Sequence, residues 1–395
     1  MSMDKIEELL TRGVDSIYPT KEELEKVLRS GKKLKLYQGF DPTGTNLHIG
    51  HMVGFRKLRA WQDLGHHVIF LIGDGTGQAG DPSGKTKARE KFFTREELRA
   101  NAVDYVKQAG KIVRFEGENP VEILFNGDWL NELKLVEILN IMDHVSFQQI
   151  LERDLFQERL KLGEEIKYRE FFYPLLQGYD SVAMEVDLEL GGSDQTFNML
   201  VGRKLVKEML KKEKFVMTTP LLTDSEGRKI GKTEGNVIAL TDNPNDLYGK
   251  IMGLPDDVII KGSEYLTDVS IDQIRKFKQQ DPLNAKKQLA FEIVKQLHSQ
   301  KDAQEAEEQF EKTVQKHEIP QDVPEVELKK ETPVNEDLLV TLGFATSKSE
   351  ARRLFEQGGV EIDGERMSEP PNNPVKEGMI LKVGKRKFAK IKIKG

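Results

Sequence analysis

The stretch LKLYQGFDPTGTNLHIGHMVGFRKLRAWQDLGHHVIFLIG, Leu34 to Gly73, carries the pattern from which the fold is read. LKLYQGF (Leu34–Phe40) is apolar and aromatic and predicts a strand. Leu47 to Leu64 spaces its apolar residues for a helix and stops at Gly65. HVIFLIG (His67–Gly73) is an unbroken apolar, β-branched run, the mark of a strand buried on both faces. Downstream, TREELRANAVDYVKQAG opens with the capping box Thr94…Glu97 and ends in Gly110, and VEILF (Val121–Phe125) supplies a further strand. This alternation predicts an α/β fold whose parallel sheet carries helices on both faces.

Beyond Asn245 the texture changes. From Leu247 to about Lys316 the pattern is helical and highly charged, as in IDQIRKFKQQ and AKKQLAFEIVKQLH. IPQDVPEVELKKETPV, with three prolines, reads as a linker. After it comes a compact α+β unit. Ser347 and Glu350 open a helix carrying Arg352 and Arg353, Gly358–Gly359 end it, and VEIDGERM turns at Asp363–Gly364. The division expected is 1–240, 241–320 (helical), 321–334 (linker) and 335–395.

A chain of 395 residues suffices for two or three domains. Cysteine is absent, which excludes disulfides, thiolate metal sites and thiol nucleophiles. No run approaches the length of apolar sequence that crosses a bilayer, and MSMDKIEELL has acids where a secretion signal would be basic and apolar. A cytoplasmic protein without a membrane partner is expected. The net charge is −6, yet Lys382, Lys385, Arg386, Lys387, Lys390, Lys392 and Lys394 close the chain without an acid among them. A basic tail on an acidic body suggests a polyanion touched by one part only.

Asn46 is the expected N-cap, putting His48 and His51 on one face of the opening turns. That helix start follows a strand, at the carboxyl edge of the sheet, where unpaired N–H groups favour phosphate. Gly50 leaves backbone open to a flat ring. From the residues alone, the pair can bind nucleotide phosphates, pack structurally, or ligate a metal with Asp41. AGDPSGKT (Ala79–Thr86) nearly spells a phosphate-binding loop, but GDGTGQ separates it from the strand and the next helix signal waits until Thr94. GRKIGKT (Gly227–Thr233) offers two lysines on a glycine-flanked loop. YPLLQGYD places Tyr173, Gln177 and Asp180 on one helical face, and LELGGSDQ ends a strand with paired glycines before Asp194 and Gln195.

Taken in order, HIGH (His48–His51) and KIGKT (Lys229–Thr233) are similar to the two signatures of class-I aminoacyl-tRNA synthetases. YQGFDPTGTNLHIGH, GDPSGKT, YPLLQGYDSV and GGSDQTFN resemble the bacterial tyrosyl-tRNA synthetases, over nearly the whole chain. The tail resembles a small RNA-binding module shared with a ribosomal protein and some pseudouridine synthases. Against KMSKS, this chain has Ile230, Gly231 and Thr233 but keeps both lysines and a terminal hydroxyl.

The resemblance implies a Rossmann-type doubly wound catalytic domain, with the helical domain facing the tRNA anticodon. It implies a homodimer joined through an insertion near Phe125–Tyr179. It also implies tyrosine activation by ATP, with Mg2+ carried by the nucleotide and no protein-bound metal, and then transfer to tRNA(Tyr). By the same resemblance Tyr37 and Asp180 hold the phenol of L-tyrosine; Asp81, Tyr173 and Gln177 bind its ammonium group; Gln195 lies near its carboxylate. Gly39, Asp41, Gly50 and Asp194 line the ATP side. Thr43, His48 and His51 face ATP as hydrogen-bonding groups, Lys229, Lys232 and Thr233 close over the pyrophosphate, and Lys85 and Arg89 sit on a mobile loop. A small-molecule adenylyltransferase, a non-catalytic RNA-binding descendant, a P-loop NTPase and a tryptophan-activating enzyme are the rival expectations.

Overall fold

The computed structural model describes residues 4–83, 92–230, 237–277, 279–312, 323–384 and 387–394. They form two compact units, Met1–Asp242 with Leu254–His298, and Asn243–Gly253 with Ser299–Gly395.

In the first unit, strands β1 (Ser16–Tyr18), β2 (Lys35–Phe40), β3 (His67–Ile72), β4 (Glu122–Phe125), β5 (Leu188–Gly192) and β6 (Phe215–Thr219) make one sheet in the order β1-β6-β5-β2-β3-β4. All neighbours are parallel except the edge strand β1. From β2 the chain winds outward through β3 and β4, then returns to β5 on the other side of β2. β2 and β5 therefore flank the switch point, whose carboxyl rim is where open α/β sheets bind ligands.

The helix Ile49–Asp63 covers β2 and β3 because Ile49, Met52, Val53, Phe55, Leu58 and Trp61 recur at helical spacing, and all are buried. Phe40 stacks on Phe70 at 4.5 Å between ring centroids and meets Phe55 at 5.2 Å, fastening helix to sheet. Each such buried side chain contributes roughly 1.5–3 kcal/mol. The Thr94–Glu97 capping box forms as expected, opening the helix Arg95–Ala109 with Gly110 as its C-cap. Asn46 is not the N-cap of the helix Ile49–Asp63. That helix starts two residues later than expected, and His48 caps it.

Val258–Leu266, Ile271–Phe277 and Pro282–Leu297 are helices of the first unit; Pro244–Met252 and Gln300–Phe310 are helices of the second. Glu325–Leu328, within the stretch read as linker, is a strand (β7). It pairs parallel to β11 (Lys387–Ile393) in a second sheet, β7-β11-β10-β8-β9, with β8 Val360–Ile362, β9 Glu365–Met367 and β10 Ile380–Val383. Its Glu-Val-Glu-Leu alternation puts Leu328 against the core of Leu338, Leu339, Phe355 and Leu381. Asp363 and Gly364 both take positive φ, 48° and 88°, the turn that a two-residue hairpin requires. The basic residues of the tail have acids brought to them by the sheet: Lys382 donates to Glu361 at 2.8 Å and Lys390 to Glu325 at 3.1 Å. Lys392 and Lys394 stay exposed, while Lys385 and Arg386 lie outside the described residues.

Candidate active site

The rim of β2 and β5 carries a continuous set of polar side chains. β2 runs into Asp41, whose Oδ1 accepts from the Thr76 hydroxyl at 2.7 Å and whose Oδ2 accepts from the Tyr173 hydroxyl at 2.9 Å. Asn126 donates to Thr76 Oγ1 at 2.9 Å and to Asp180 Oδ2 at 3.0 Å, and Trp129 Nε1 donates to Asp180 Oδ1 at 2.8 Å. Asp41 and Asp180, far apart in sequence, are thus two members of one network.

Tyr173, Gln177 and Asp180 all belong to the helix Tyr168–Ala183, and each reaches a different strand. Tyr173 meets Asp41 after β2, Asp180 meets Asn126 after β4, and Gln177 donates to Glu189 of β5 at 3.0 Å. Tyr37, inside β2, lies 3.0 Å from the Ser181 hydroxyl and 3.5 Å from the Gln177 carbonyl. Gln195 follows β5 and donates to Asp81 Oδ2 at 2.9 Å. Gly39 is exposed at the end of β2, so that strand's backbone is open to a ligand.

Burial sets the charge state of this wall. It pushes the Tyr37 and Tyr173 hydroxyls well above the ordinary phenol range, helped by neighbouring carboxylates, so both remain donors. Burial also drives the Asp180 carboxyl well above the usual carboxylate range, against the lowering effect of Asn126 and Trp129.

The histidine helix begins a short loop beyond Asp41. His48 caps its own helix: Nδ1 accepts from the Gly50 N–H at 3.2 Å, while His51 Nδ1 accepts from the His48 N–H at 3.1 Å. The two rings lie 4.0 Å apart. A Cβ on Gly50 would fall 2.9 Å from His48 Cε1, so the space beside this glycine admits the His48 ring. His48 bridges to Ala239, and Ile49 N donates to Ile238 O at 3.0 Å. These contacts seat the chain that follows the lysine motif against the helix start. At the start of that motif, Ile230 N donates to Leu222 O at 2.8 Å, and Lys229 Nζ reaches Asp194 Oδ2 at 2.8 Å. Thr43 is half-buried in the loop between Asp41 and His48, its N–H on the Asp41 carbonyl at 2.7 Å.

Tyr37, Asp41, Tyr173, Gln177 and Asp180 therefore share one wall, with Asp81, Asp194 and Gln195 after β3 and β5. His48, His51 and Lys229 sit at the neighbouring helix start and loop. Lys85, Arg89, Lys232 and Thr233 lie outside the described residues. Sequence reading misses Thr76, Asn126, Trp129, Ser181, Glu189, Asn198 and Lys214. Asn126 and Trp129 follow directly on the strand VEILF, and the end of a parallel strand is the signal that could find them; the others carry no local signal.

Residues 29–315 match the family of class-I tRNA synthetases for tryptophan and tyrosine, and residues 315–391 match the SYY-like C-terminal domain of tyrosine–tRNA ligases. The chain is 43% identical to the tyrosine–tRNA ligase of Thermotoga maritima, over 99% of its length and 98% of the relative's. It is 42% identical to that of Francisella tularensis, over 98% of each. The C-terminally truncated mitochondrial tyrosyl-tRNA synthetase of Aspergillus nidulans has a TM-score of 0.66 at 27% identity, covering 78% of this chain and 93% of that one. The Archaeoglobus fulgidus tyrosyl-tRNA synthetase, solved with L-tyrosine, shares the fold at a TM-score of 0.60 and 20% identity, covering 77% and 98%. With a switch-point site on a Rossmann-type sheet and relatives aligned end to end, the chain belongs to the class-I aminoacyl-tRNA synthetases, in the tyrosine–tRNA ligase family.

Proposed function

We infer that the protein joins tyrosine to its tRNA in two steps at the β2–β5 rim, and that the side chains described there do the work. A carboxylate with a reference pKa near 3.5 is already ionised at neutral pH, so the first step needs no general base. One carboxylate oxygen of tyrosine attacks the α-phosphorus of ATP. The bond to the bridging oxygen breaks, and pyrophosphate leaves with that electron pair, carried with its Mg2+. In the second step a terminal ribose hydroxyl of tRNA attacks the acyl carbon. The bond from that carbon to the phosphate oxygen breaks, AMP departs with the electron pair, and the hydroxyl proton passes to solvent. The difficulty is to align anions that repel one another and to stabilise charge on the departing pyrophosphate.

The observation that carries this reading is the hydrogen-bonded wall linking Asp41, Tyr173, Thr76, Asn126 and Asp180. In this reading Asp180 and Tyr37 recognise the phenol; Asp81, Tyr173 and Gln177 take the ammonium group; Gln195 borders the carboxylate. Gly39, Asp41, Gly50 and Asp194 line the nucleotide side. His48, His51 and Thr43 hydrogen-bond ATP, and Lys229, Lys232 and Thr233 neutralise the pyrophosphate, with Lys85 and Arg89 assisting. The seating of Ile238–Ala239 on the start of the histidine helix supports bringing both signatures to one nucleotide.

Two more readings rest on surfaces. Leu135, Val136, Leu139, Phe147, Leu162 and Tyr168 are exposed apolar residues concentrated in the segment 135–168, which supports a homodimer through this insertion. The exposed cations of the tail support phosphate contacts with tRNA, with the anticodon facing the helical region near 241–320 and the module that includes β7 acting as a separate grip. Among the described residues no helix is long and apolar enough to cross a membrane. A cytoplasmic home agrees with a tRNA substrate.

ATP–pyrophosphate exchange with each of the twenty amino acids tests the reading. Tyrosine is expected to support exchange alone, followed by charging of tRNA(Tyr). Exchange driven by tryptophan, or nucleotide hydrolysis needing no amino acid, would overturn it.

A further inference from the structure

Two glutamines of the wall are joined by an asparagine. Asn198 Nδ2 donates to Gln177 Oε1 at 3.0 Å and to Gln195 Oε1 at 2.9 Å. Each glutamine then turns its amide nitrogen outward to a carboxylate, Gln177 to Glu189 Oε1 at 3.0 Å and Gln195 to Asp81 Oδ2 at 2.9 Å. An ionised carboxylate only accepts, so the run Glu189, Gln177, Asn198, Gln195, Asp81 has one permitted orientation for each amide. The end at Glu189 lies deep in the protein: Glu189 is 2% exposed and Lys214, its ion-pair partner, is fully buried.

Lys214 Nζ also donates to Ser181 Oγ at 2.6 Å, and Ser181 is the partner of the Tyr37 hydroxyl. Room for this pair is made by Gly202, where a Cβ would stand 2.7 Å from Lys214 Nζ and 3.2 Å from Glu189 Oε2. A buried ion pair is costly relative to apolar packing, so it is weak evidence of a stability role. Here both of its members face side chains assigned to tyrosine.

We propose that Lys214 and Glu189 are positioning residues for tyrosine binding: Glu189 fixes the Gln177 amide with its carbonyl toward the ammonium group, and Lys214 holds Glu189 in place while orienting Ser181 and, through it, Tyr37. This rests on the assignment of Gln177 and Tyr37 to the amino acid. Gln177 Oε1 has a second lone pair for an ammonium N–H. With the amide reversed, an N–H would confront the cation.

The test is tyrosine-dependent exchange by the full-length protein carrying Glu189→Gln, or the charge-neutral pair Glu189→Gln with Lys214→Met. A glutamine at 189 can donate as well as accept, which frees the Gln177 amide to reverse. Both variants are expected to raise KM for tyrosine about tenfold, with KM for ATP unchanged and kcat lowered less than about threefold, the signature of lost uniform binding. Glu189→Asp is expected to recover part of the loss. Folded variants with wild-type KM for tyrosine would overturn the proposal, as would failure of both to fold, which would mark the pair as purely structural. Wild-type exchange indifferent to tyrosine would instead defeat the underlying assignment.

Discussion

Trp129 donates its indole N–H to Asp180 Oδ1 at 2.8 Å, so the carboxyl assigned to the tyrosine phenol is held by a residue of the helical turn Gly127–Leu130 that follows β4. Asn126 holds the other oxygen at 3.0 Å. Replacing Asp180 by alanine leaves the buried Asn126 and the half-buried Trp129 without that acceptor, at about 1–3 kcal/mol for the buried donor. Asp180→Ala is expected to keep a cooperative thermal melt while kcat/KM for tyrosine in exchange falls at least about 10²-fold. Normal exchange kinetics in the folded variant would remove Asp180 from the site.

Lys229 and Asp194 form a half-exposed ion pair at 2.8 Å, a geometry that stabilises a fold by only about 0–1 kcal/mol. Lys229→Ala should therefore leave the melting temperature nearly unchanged. If Lys229 neutralises the leaving pyrophosphate, kcat for exchange drops roughly 10²-fold, by analogy with the loss of a single charge-stabilising donor. A variant with wild-type kcat would assign Lys229 to the surface.

The apolar residues of segment 135–168 predict an oligomer that a pair of introduced charges can break. Val136→Asp together with Leu139→Asp should sediment as a monomer where the wild-type protein sediments as a dimer. A wild-type monomer at micromolar concentration would contradict the assignment of this face.

His66 gives a pH test independent of activity. Its Nδ1 accepts from the buried Leu34 N–H at 3.0 Å, a bond that only the neutral ring can make. Burial, and secondarily Lys33, depresses the His66 ring from an ordinary 6.5 to about 4. The unfolded chain therefore takes up the proton between those values and the folded chain does not. Stability contributed at neutral pH is lost as pH falls from about 6.5 toward about 4. Denaturant melts of wild type and His66→Gln across that window should show the wild type declining more steeply. Parallel curves would contradict this.

The sheet and its site are largely legible in the sequence, for different reasons. Strands β2 and β3 and the helix from Arg95 announce themselves through unbroken apolar runs and the Thr94–Glu97 box, which are local signals. The site is reached through phrases around His48, Tyr173 and Asp194 rather than through partners. Lys214 is 33 residues from Ser181 and Trp129 is 51 from Asp180, and only the folded sheet brings them together. The displaced cap at His48 shows the same limit, since an imidazole can take the capping role that residue preferences give to Asn46. Strand β7 is hidden by its flanking prolines, because its pairing partner lies at the far end of the chain.

A cut meant to remove the tail module belongs before residue 323, because a cut after Pro333 leaves β7 without β11. Removing residues 323–395 should spare tyrosine-dependent exchange and depress tRNA charging, with the deficit largest at low salt and shrinking as salt rises. Undiminished charging across the salt series would give the tail another job.

The central claim is that one hydrogen-bonded wall at the β2–β5 rim reads a phenol, and the most direct measurement compares tyrosine with phenylalanine in ATP–pyrophosphate exchange. A preference of roughly 10⁴–10⁵ in kcat/KM is expected, the discrimination characteristic of tyrosyl-tRNA synthetases as a class and carried over from them, and it should collapse in Asp180→Ala. Comparable exchange with both amino acids in the wild-type protein would contradict the account.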